Sequence, residues 1–213
     1  MHIAVITETH AREGNTTDIQ KKGYILASTC QRRQGEPKGG VAIYAHESIP
    51  QRKGEKRITQ PKHELEHCSE IVHPNHNEKD QLAVAGAYRA PEREHPEYAP
   101  TLSQMLQHHK EQQSTAKLKG DFNINSWGTS ETGFYQKWVE GEGLRELSNR
   151  TIPTRRTGTV TDGILMAVGD SQPEGLFPQV VALNKMGEMR ESVQHLRRRN
   201  RFWWITTLSS WKY

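Results

Sequence analysis

Short apolar runs separated by polar stretches form the pattern of this chain. The first predicted strand covers Ile3 to Ile6 and ends at the polar residues Thr7 and Glu8. Later apolar runs predict strands at 39–45, 82–88, 116–119, 159–166 and 180–183, with a weak strand at 70–72. Continuous apolar runs of this length are typical of strands that are buried on both faces.

Apolar residues at helical spacing predict two helices. Leu102, Met105 and Leu106 share one face of a helix over 98–113. A second helix begins near Phe134, continues to Val139, and is ended by two following glycines. Because the helices are interleaved with pairs of strands, the pattern predicts an α/β fold with a mixed sheet.

Composition limits how large a core the chain can build. The length of 213 residues suits one domain, but only 33% of residues are apolar and the mean hydropathy is −0.87. Globular chains usually have an apolar share near one half. We therefore expect enough apolar residues for a core but few beyond it, and hence marginal stability or some disordered segments.

The charge of the chain is mildly positive, +4, and its basic residues cluster near the end. Five arginines lie between residues 190 and 201, where they form either a solvated tail or a phosphate-binding patch. The aromatic run 202–205 follows. It predicts a hydrophobic closing strand, and the alternatives are a base-stacking surface or residual sequence left by gene truncation.

Several classes of protein are excluded by what the sequence lacks. Cys30 and Cys68 form no disulfide framework, so a reduced compartment is expected. His63, His67 and His73 beside Cys68 do not have the spacing of a closed zinc site. No apolar run is long enough to span a membrane, and the first residues lack the basic lead of a secretion signal.

Three carboxylates stand at the ends of apolar runs, where they can project into a shared cleft. They are Glu8, Asp121 and Asp162. Hard oxygen ligands of this kind suit Mg²⁺, although acids at strand ends also serve as caps and turn formers. Asp121 and Asn123 are two apart, so on an extended segment they share a face. There the acid can take a proton from water while the amide binds a phosphate oxygen.

These residues belong to segments that resemble the endonuclease/exonuclease/phosphatase superfamily, and within it the apurinic-type endonuclease domain of non-LTR retrotransposons. The resemblance runs in order from residue 3 to residue 166. It is carried by Val5-Ile6-Thr7-Glu8-Thr9-His10, Gly39-Gly40-Val41-Ala42-Ile43, Ala87-Tyr88-Arg89-Ala90-Pro91, Leu118-Lys119-Gly120-Asp121-Phe122-Asn123, Ser126-Trp127-Gly128, Pro153-Thr154-Arg155 and Thr159-Val160-Thr161-Asp162-Gly163-Ile164-Leu165.

The resemblance implies a role for each matching residue. Glu8 would bind Mg²⁺, with Mn²⁺ as a possible substitute, and Asp121 would activate the attacking water. Asn123 would help to bind the phosphate, and Tyr88 would donate a hydrogen bond to the phosphoryl oxygen or to the leaving side. The implied reaction is hydrolysis of a DNA phosphodiester that leaves a 3′-hydroxyl for a reverse transcriptase to extend.

The remaining implied role falls on Asp162, which would orient a histidine that stabilises negative charge. The nearest match to the family's closing Ser-Asp-His is Ser192-Val193-Gln194-His195-Leu196. His195 is the candidate histidine, with a surface residue in a shifted or decayed tail as the alternative, and the acid is either replaced by Gln194 or missing. The family also begins with an Asn-bearing strand and a helix, and the resemblance places both before Met1. Their expected loss would expose the edge of the neighbouring strand.

Together these features predict an endonuclease/exonuclease/phosphatase-like α/β sandwich over 1–196, lacking its first strand and helix, followed by a basic-aromatic tail over 197–213. The expected function is a magnesium-dependent DNA endonuclease with weak or no activity. The alternatives are a non-catalytic nucleic-acid-binding remnant and a phosphoesterase for another substrate. DNA is the expected partner, a membrane is not, and an intact element would add a reverse-transcriptase domain. The expected location is intracellular, and nuclear if genomic DNA is the substrate.

Overall fold

A computed structural model describes residues 3–9, 23–32, 39–49, 57–59, 65–73, 81–89, 98–111, 115–121, 130–146, 162–167 and 205–208. These segments contain ten strands and two helices. In chain order they are β1 (Ile3–Thr7), β2 (Tyr24–Cys30), β3 (Val41–His46), β4 (Arg57–Thr59), β5 (Leu65–Val72), β6 (Leu82–Arg89), α1 (Tyr98–Glu111), β7 (Thr115–Asp121), α2 (Ser130–Gly141), β8 (Leu144–Glu146), β9 (Asp162–Ala167) and β10 (Ile205–Leu208).

The strands form two five-stranded sheets. Sheet A has the order β10-β1-β3-β2-β4, and sheet B has the order β5-β6-β7-β9-β8. Both sheets are mixed, since β1 is parallel to β10 and antiparallel to β3, while β6 is parallel to β7 and antiparallel to β5. The prediction of an α/β fold with mixed sheets is therefore confirmed.

The main core lies between the two sheets. Val5 and Ile43 of sheet A are buried there with Val84 and Tyr88 of sheet B. Gly86 lies on the same face of β6, and a β-carbon at this position would lie 2.6 Å from Val41 Cγ1 and 2.7 Å from Val5 Cγ1. The absence of a side chain at Gly86 therefore lets the sheets approach closely beside the strand ends.

A second core lies between the other face of sheet B and the two helices. Leu102 and Leu106 of α1 and Trp138 of α2 pack on the alanines of β6. The Trp138 indole donates a hydrogen bond of 3.1 Å to Ser103 Oγ, which donates in turn to Glu142 Oε1 at 2.5 Å. This polar chain fixes α1 against the end of α2. Neither helix is long and apolar enough to cross a membrane.

Most predicted elements are confirmed with adjusted bounds. The strands predicted at 3–6, 39–45, 82–88 and 116–119 correspond to β1, β3, β6 and β7, and both helices are present. The weak strand at 70–72 is the end of the longer β5, whereas β2, β4 and β8 were not predicted. Only 162–166 of the predicted strand 159–166 is described, and the predicted strand 180–183 lies outside the described residues.

Strand β10 places part of the predicted tail in sheet A. It pairs in parallel with β1, from Ile3 opposite Ile205 to Ile6 opposite Leu208. The expectation that this edge of β1 is exposed is therefore wrong, because β10 satisfies its backbone groups. The expected absence of a first strand and helix, and the boundary between 1–196 and 197–213, stay predictions.

Burial of two ionisable groups predicts a loss of stability at alkaline pH. Burial raises the pKa of Tyr44 from 10.0 to about 12. Burial first, and then the neighbouring Cys30 thiol, raises the pKa of Cys68 above its ordinary 9.0. Each group keeps its proton in the folded chain at pH values where the unfolded chain has lost it, so stability falls as pH rises.

We expect this fall to begin near pH 9.0 through Cys68, and Tyr44 to contribute between pH 10.0 and about 12. Urea unfolding at a series of pH values would measure the slope. In the Tyr44→Phe variant the slope between pH 10.0 and about 12 should be shallower than in wild type. Identical slopes for wild type and Tyr44→Phe would show that the pKa of Tyr44 is the same in the folded and the unfolded chain.

Candidate active site

Four residues with polar side chains occupy one row across sheet B, at the end where β7 finishes and β9 begins. Glu66 of β5 pairs with Tyr88 of β6, and Tyr88 pairs with Asp121 of β7. Asp121 pairs with Asp162 of β9. Directly paired positions on neighbouring strands lie on the same face of a sheet. The row therefore brings three of the predicted site positions together and adds Glu66.

Glu8 joins this row from sheet A. It follows the last residue of β1 and is half-buried. The hydroxyl of Tyr88 donates a hydrogen bond of 3.3 Å to Glu8 Oε1, across 80 positions of sequence. Tyr88 itself is 2% exposed. This contact orients the carboxylate between the ends of the two sheets, as a metal-binding or water-orienting group requires.

The backbone at Glu8 explains how its side chain reaches that position. Side chains alternate between the faces of a strand, so after Val5 and Thr7 the next residue would point away from sheet B. Glu8 instead has φ 54° in the left-handed region, the only non-glycine among the described residues with positive φ. The conformation is unfavourable for a residue with a β-carbon, and such residues cluster at functional sites.

Replacing Glu8 separately with glycine and with alanine would measure this strain. Both changes remove the bond to Tyr88, but only glycine removes the β-carbon. The left-handed conformation costs about 1–2 kcal/mol, and the greater entropy of glycine when unfolded offsets up to about 1 kcal/mol. We expect Glu8→Gly to be more stable than Glu8→Ala by up to about 1 kcal/mol in urea unfolding.

The neighbouring Thr9 supplies the control, because its φ is not positive. There the order should reverse, with Thr9→Ala more stable than Thr9→Gly. The interpretation of strain at Glu8 would be wrong if alanine were at least as stable as glycine at both positions.

A glycine pair supports the Glu8 segment from the side. Gly39 and Gly40 have φ of 122° and 90° and lead into β3. The backbone N–H of Thr9 donates to the carbonyl of Gly40 at 3.2 Å. The N–H of Gly40 donates to the Glu66 carboxylate, which is 4% exposed. Glu66 was missed from the sequence because the predicted strand covered only 70–72, and its pairing with Tyr88 is visible only in the sheet.

Thr7 contributes a buried hydroxyl beside Glu8. The residue is fully buried, and its Oγ1 has no hydrogen-bond partner within the described part of the chain. Buried polar atoms are normally satisfied by protein or by an ordered water. The site is therefore polar on its sheet A side as well as along the row in sheet B.

The donor set at this end of the sandwich suits a metal that keeps most of its water. Among the residues whose side chains are described, no three of His, Cys, Asp or Glu form a metal-binding group. Mg²⁺ is commonly bound through one or two carboxylates together with waters. A half-buried Glu8 oriented by Tyr88 meets that modest requirement, whereas a zinc site with several protein ligands is not formed by these residues.

The remaining predicted site residues lie outside the part of the chain that the structure describes. They are Asn123 and His195. The strand positions of Asp121 and Asp162 are described through their backbone pairing. The basic cluster at 190–201 also lies outside the described residues. The roles implied for these residues stay predictions.

Comparison with known proteins finds a likeness in structure alone. No protein-family model matches the sequence, and no curated protein matches it either. Among solved structures, humanised D. rerio TDP2 aligns with a TM-score of 0.53 and 14% identity, covering 81% of this chain and 72% of that chain. An endonuclease/exonuclease/phosphatase family protein from Leptotrichia buccalis aligns at 0.50 and 13% identity, covering 78% and 75%.

The endonuclease domain of TRAS1, a telomere-specific non-LTR retrotransposon, aligns at 0.48 and 12% identity, covering 77% of this chain and 72% of that chain. The TM-scores of 0.53 and 0.50 support a shared fold, and identities of 14% and 13% carry no argument about shared chemistry. The two sheets and flanking helices of this chain thus have the fold of the endonuclease/exonuclease/phosphatase family.

Proposed function

We propose that this chain is a phosphodiesterase-type domain that hydrolyses DNA with the help of Mg²⁺, and that it derives from a retrotransposon endonuclease. The observation that carries the proposal is the meeting of Glu8 with the row Tyr88, Asp121 and Asp162 at one end of the sandwich. The sequence motifs around these residues support the same reaction, and the fold is compatible with it.

In this reaction Asp121 accepts a proton from a water molecule, whose oxygen then attacks the phosphorus. A bond forms between that oxygen and phosphorus while the bond from phosphorus to the 3′ oxygen breaks. The leaving oxygen takes a proton from solvent and becomes a 3′-hydroxyl, and Asp121 returns its proton to solvent. Asn123 binds a phosphate oxygen, and Asp162 orients His195 toward the developing charge. Tyr88, by its bond to Glu8, orients the carboxylate.

Glu8 is the residue that would bind the metal, with Asp121 and Asp162 at neighbouring positions of the row. When bound, Mg²⁺ supplies positive charge that stabilises the negative charge of the phosphoryl group. Mn²⁺, which prefers similar oxygen ligands, is expected to substitute. The chain's own part is to orient the carboxylate through the hydrogen bond from the buried Tyr88.

The activity is proposed to be weak. Gln194 stands where the family has an acid before its histidine, and a neutral amide cannot favour a cationic imidazole as a carboxylate does. Groups that act as a unit lose most of their effect when one is removed. A slow rate is therefore expected even when the described part of the site is well formed.

A nicking assay on supercoiled plasmid tests the proposal. The full chain should convert supercoiled to open circles slowly with Mg²⁺, should stop with EDTA, and should leave ends that a DNA polymerase extends. A short-chain phosphoinositide and an abasic duplex serve as competing substrates. If only the phosphoinositide is hydrolysed, the substrate is a lipid phosphate and not DNA.

A non-catalytic nucleic-acid-binding remnant is the alternative from another class. It is favoured by the basic cluster at 190–201 and by Gln194. It predicts salt-dependent DNA binding without turnover, and loss of that binding when the arginines are neutralised. Binding without any nicking at long incubation times would overturn the enzymatic proposal in favour of this one.

A further inference from the structure

Glu66 is a buried carboxylate to which the proposed reaction gives no role. It is the second residue of β5, it is 4% exposed, and it is paired directly with Tyr88. Burying a carboxylate is unfavourable unless hydrogen bonds compensate for lost water. Glu66 is paired with Tyr88 and therefore lies beside the proposed site, where its contacts can affect Glu8.

Glu66 contacts the glycine pair that leads into β3. The N–H of Gly40 donates to Glu66 Oε2. A β-carbon at Gly39 would lie 2.5 Å from Oε2 and 2.7 Å from Oε1, closer than real β-carbons approach other atoms. The turn and the carboxylate therefore fit each other. A side chain at Gly39 is disfavoured by its φ of 122°, and it would also force the Glu66 carboxylate to move.

The same turn holds the backbone next to Glu8. The carbonyl of Gly40 accepts a hydrogen bond of 3.2 Å from the N–H of Thr9. Thr9 directly follows Glu8, whose φ is 54° and whose Oε1 accepts the bond from Tyr88. The contacts thus run from Glu66 through Gly40 and Thr9 to Glu8, and return to the row through Tyr88.

We propose that Glu66 is a positioning residue that keeps the Glu8 carboxylate at the site. A left-handed glutamate persists only when its surroundings fix it from several sides. Glu66 provides one such support through the Gly40 turn, and Tyr88 provides another. The inference rests on the proposed function, in which Glu8 binds Mg²⁺, and Glu66 acts on Glu8 through Gly40 and Thr9.

The test compares Glu66→Leu, Glu66→Gln and Gly39→Ala with wild type. Two quantities are measured: the Mg²⁺ concentration that half-saturates the rise in thermal unfolding temperature without DNA, and the concentration that half-saturates nicking. Removing a group that orients a metal-binding residue typically weakens metal affinity about 10–100-fold. Glu66→Leu should raise both concentrations by that factor.

The other two variants probe the contact in different ways. Glu66→Gln keeps an oxygen that accepts from Gly40, so its rise should be smaller than that of Glu66→Leu. Gly39→Ala keeps the carboxylate but displaces it, and it also strains the turn at a φ of 122°, so both concentrations should rise. These variants carry the test if Glu66→Leu does not fold. Glu70→Gln is the matched control, on the same strand but opposite Val84, and should change neither concentration.

A purely structural Glu66 would lower the unfolding temperature without Mg²⁺ and leave both half-saturating concentrations unchanged, which would overturn the inference. Glu8→Gln, measured in parallel, separates this failure from failure of the proposed function. If Glu8→Gln raises the half-saturating Mg²⁺ concentrations and none of the Glu66 and Gly39 variants does, only the positioning role of Glu66 is wrong. If Glu8→Gln also leaves the response unchanged, the assignment of Glu8 falls with it.

Discussion

The Asp121→Asn variant is expected to lose nearly all Mg²⁺-dependent nicking while it still folds and binds DNA. Asp121 is the last residue of β7 and is paired with Tyr88 on one side and Asp162 on the other. A positioned general base contributes about 10²–10⁴-fold to a rate. Because asparagine has nearly the same size but cannot accept the proton from water, the loss should approach that range.

Single-turnover nicking of supercoiled plasmid would measure the effect, with thermal unfolding as the check on folding. Glu140→Gln is the matched control, since it also neutralises one carboxylate but lies exposed on α2. Its rate should equal that of wild type. Equal rates for wild type and the Asp121→Asn variant would instead point to a contaminating nuclease or to a different base.

The parts of the fold that the sequence predicted well are those with continuous apolar runs. β1 and β6 are buried at every position, so their sequences show little but apolar and small residues. β2 was missed although it begins with the apolar run Tyr24 to Ala27, which is the less buried part of the strand. Its more buried end contains Ser28 and Thr29, and the Thr29 hydroxyl donates to the carbonyl of Val41 at 3.0 Å. An apolar pattern does not predict that such a polar segment is buried.

The site was predictable where it depends on strand ends and unpredictable where it depends on contacts between sheets. Acids at the ends of apolar runs suggested Glu8, Asp121 and Asp162, and the pairing of the last two is found. Nothing in the sequence near Glu8 shows that its φ is 54°. The support of Glu66 for Gly40 joins residues 26 apart and exists only after the sheets have packed.

The hydrogen bond from Tyr88 to Glu8 also joins the two sheets, and it could not be predicted from the sequence. The motif around Tyr88 implied a contact with phosphate, whereas its hydroxyl donates to a carboxylate 80 positions earlier. Phosphate contact stays a prediction for a bound substrate. The distance of 3.3 Å is near the upper limit of a hydrogen bond, so a small separation of the sheets would break it.

Substitution of Gly86 by alanine is expected to produce that separation and to destabilise the chain. The added β-carbon would meet Val41 and Val5 at 2.6 and 2.7 Å, and all three residues lie in the closely packed space between the sheets. Overpacking of a core typically costs about 1–3 kcal/mol. Gly86→Val, which adds two further carbons, should cost more and should prevent folding if stability is marginal.

Urea unfolding of Gly86→Ala beside Gly133→Ala would test this explanation with a matched change. A β-carbon at Gly133 meets nothing within 4 Å, and the residue lies in α2, so alanine should stabilise there by about 0.5–1 kcal/mol. Gly86 lies two residues before Tyr88 on the same face, so its variant should also weaken the Mg²⁺ response of Glu8. A destabilised variant with an unchanged Mg²⁺ response would mean that the sheets adjust locally without moving the site.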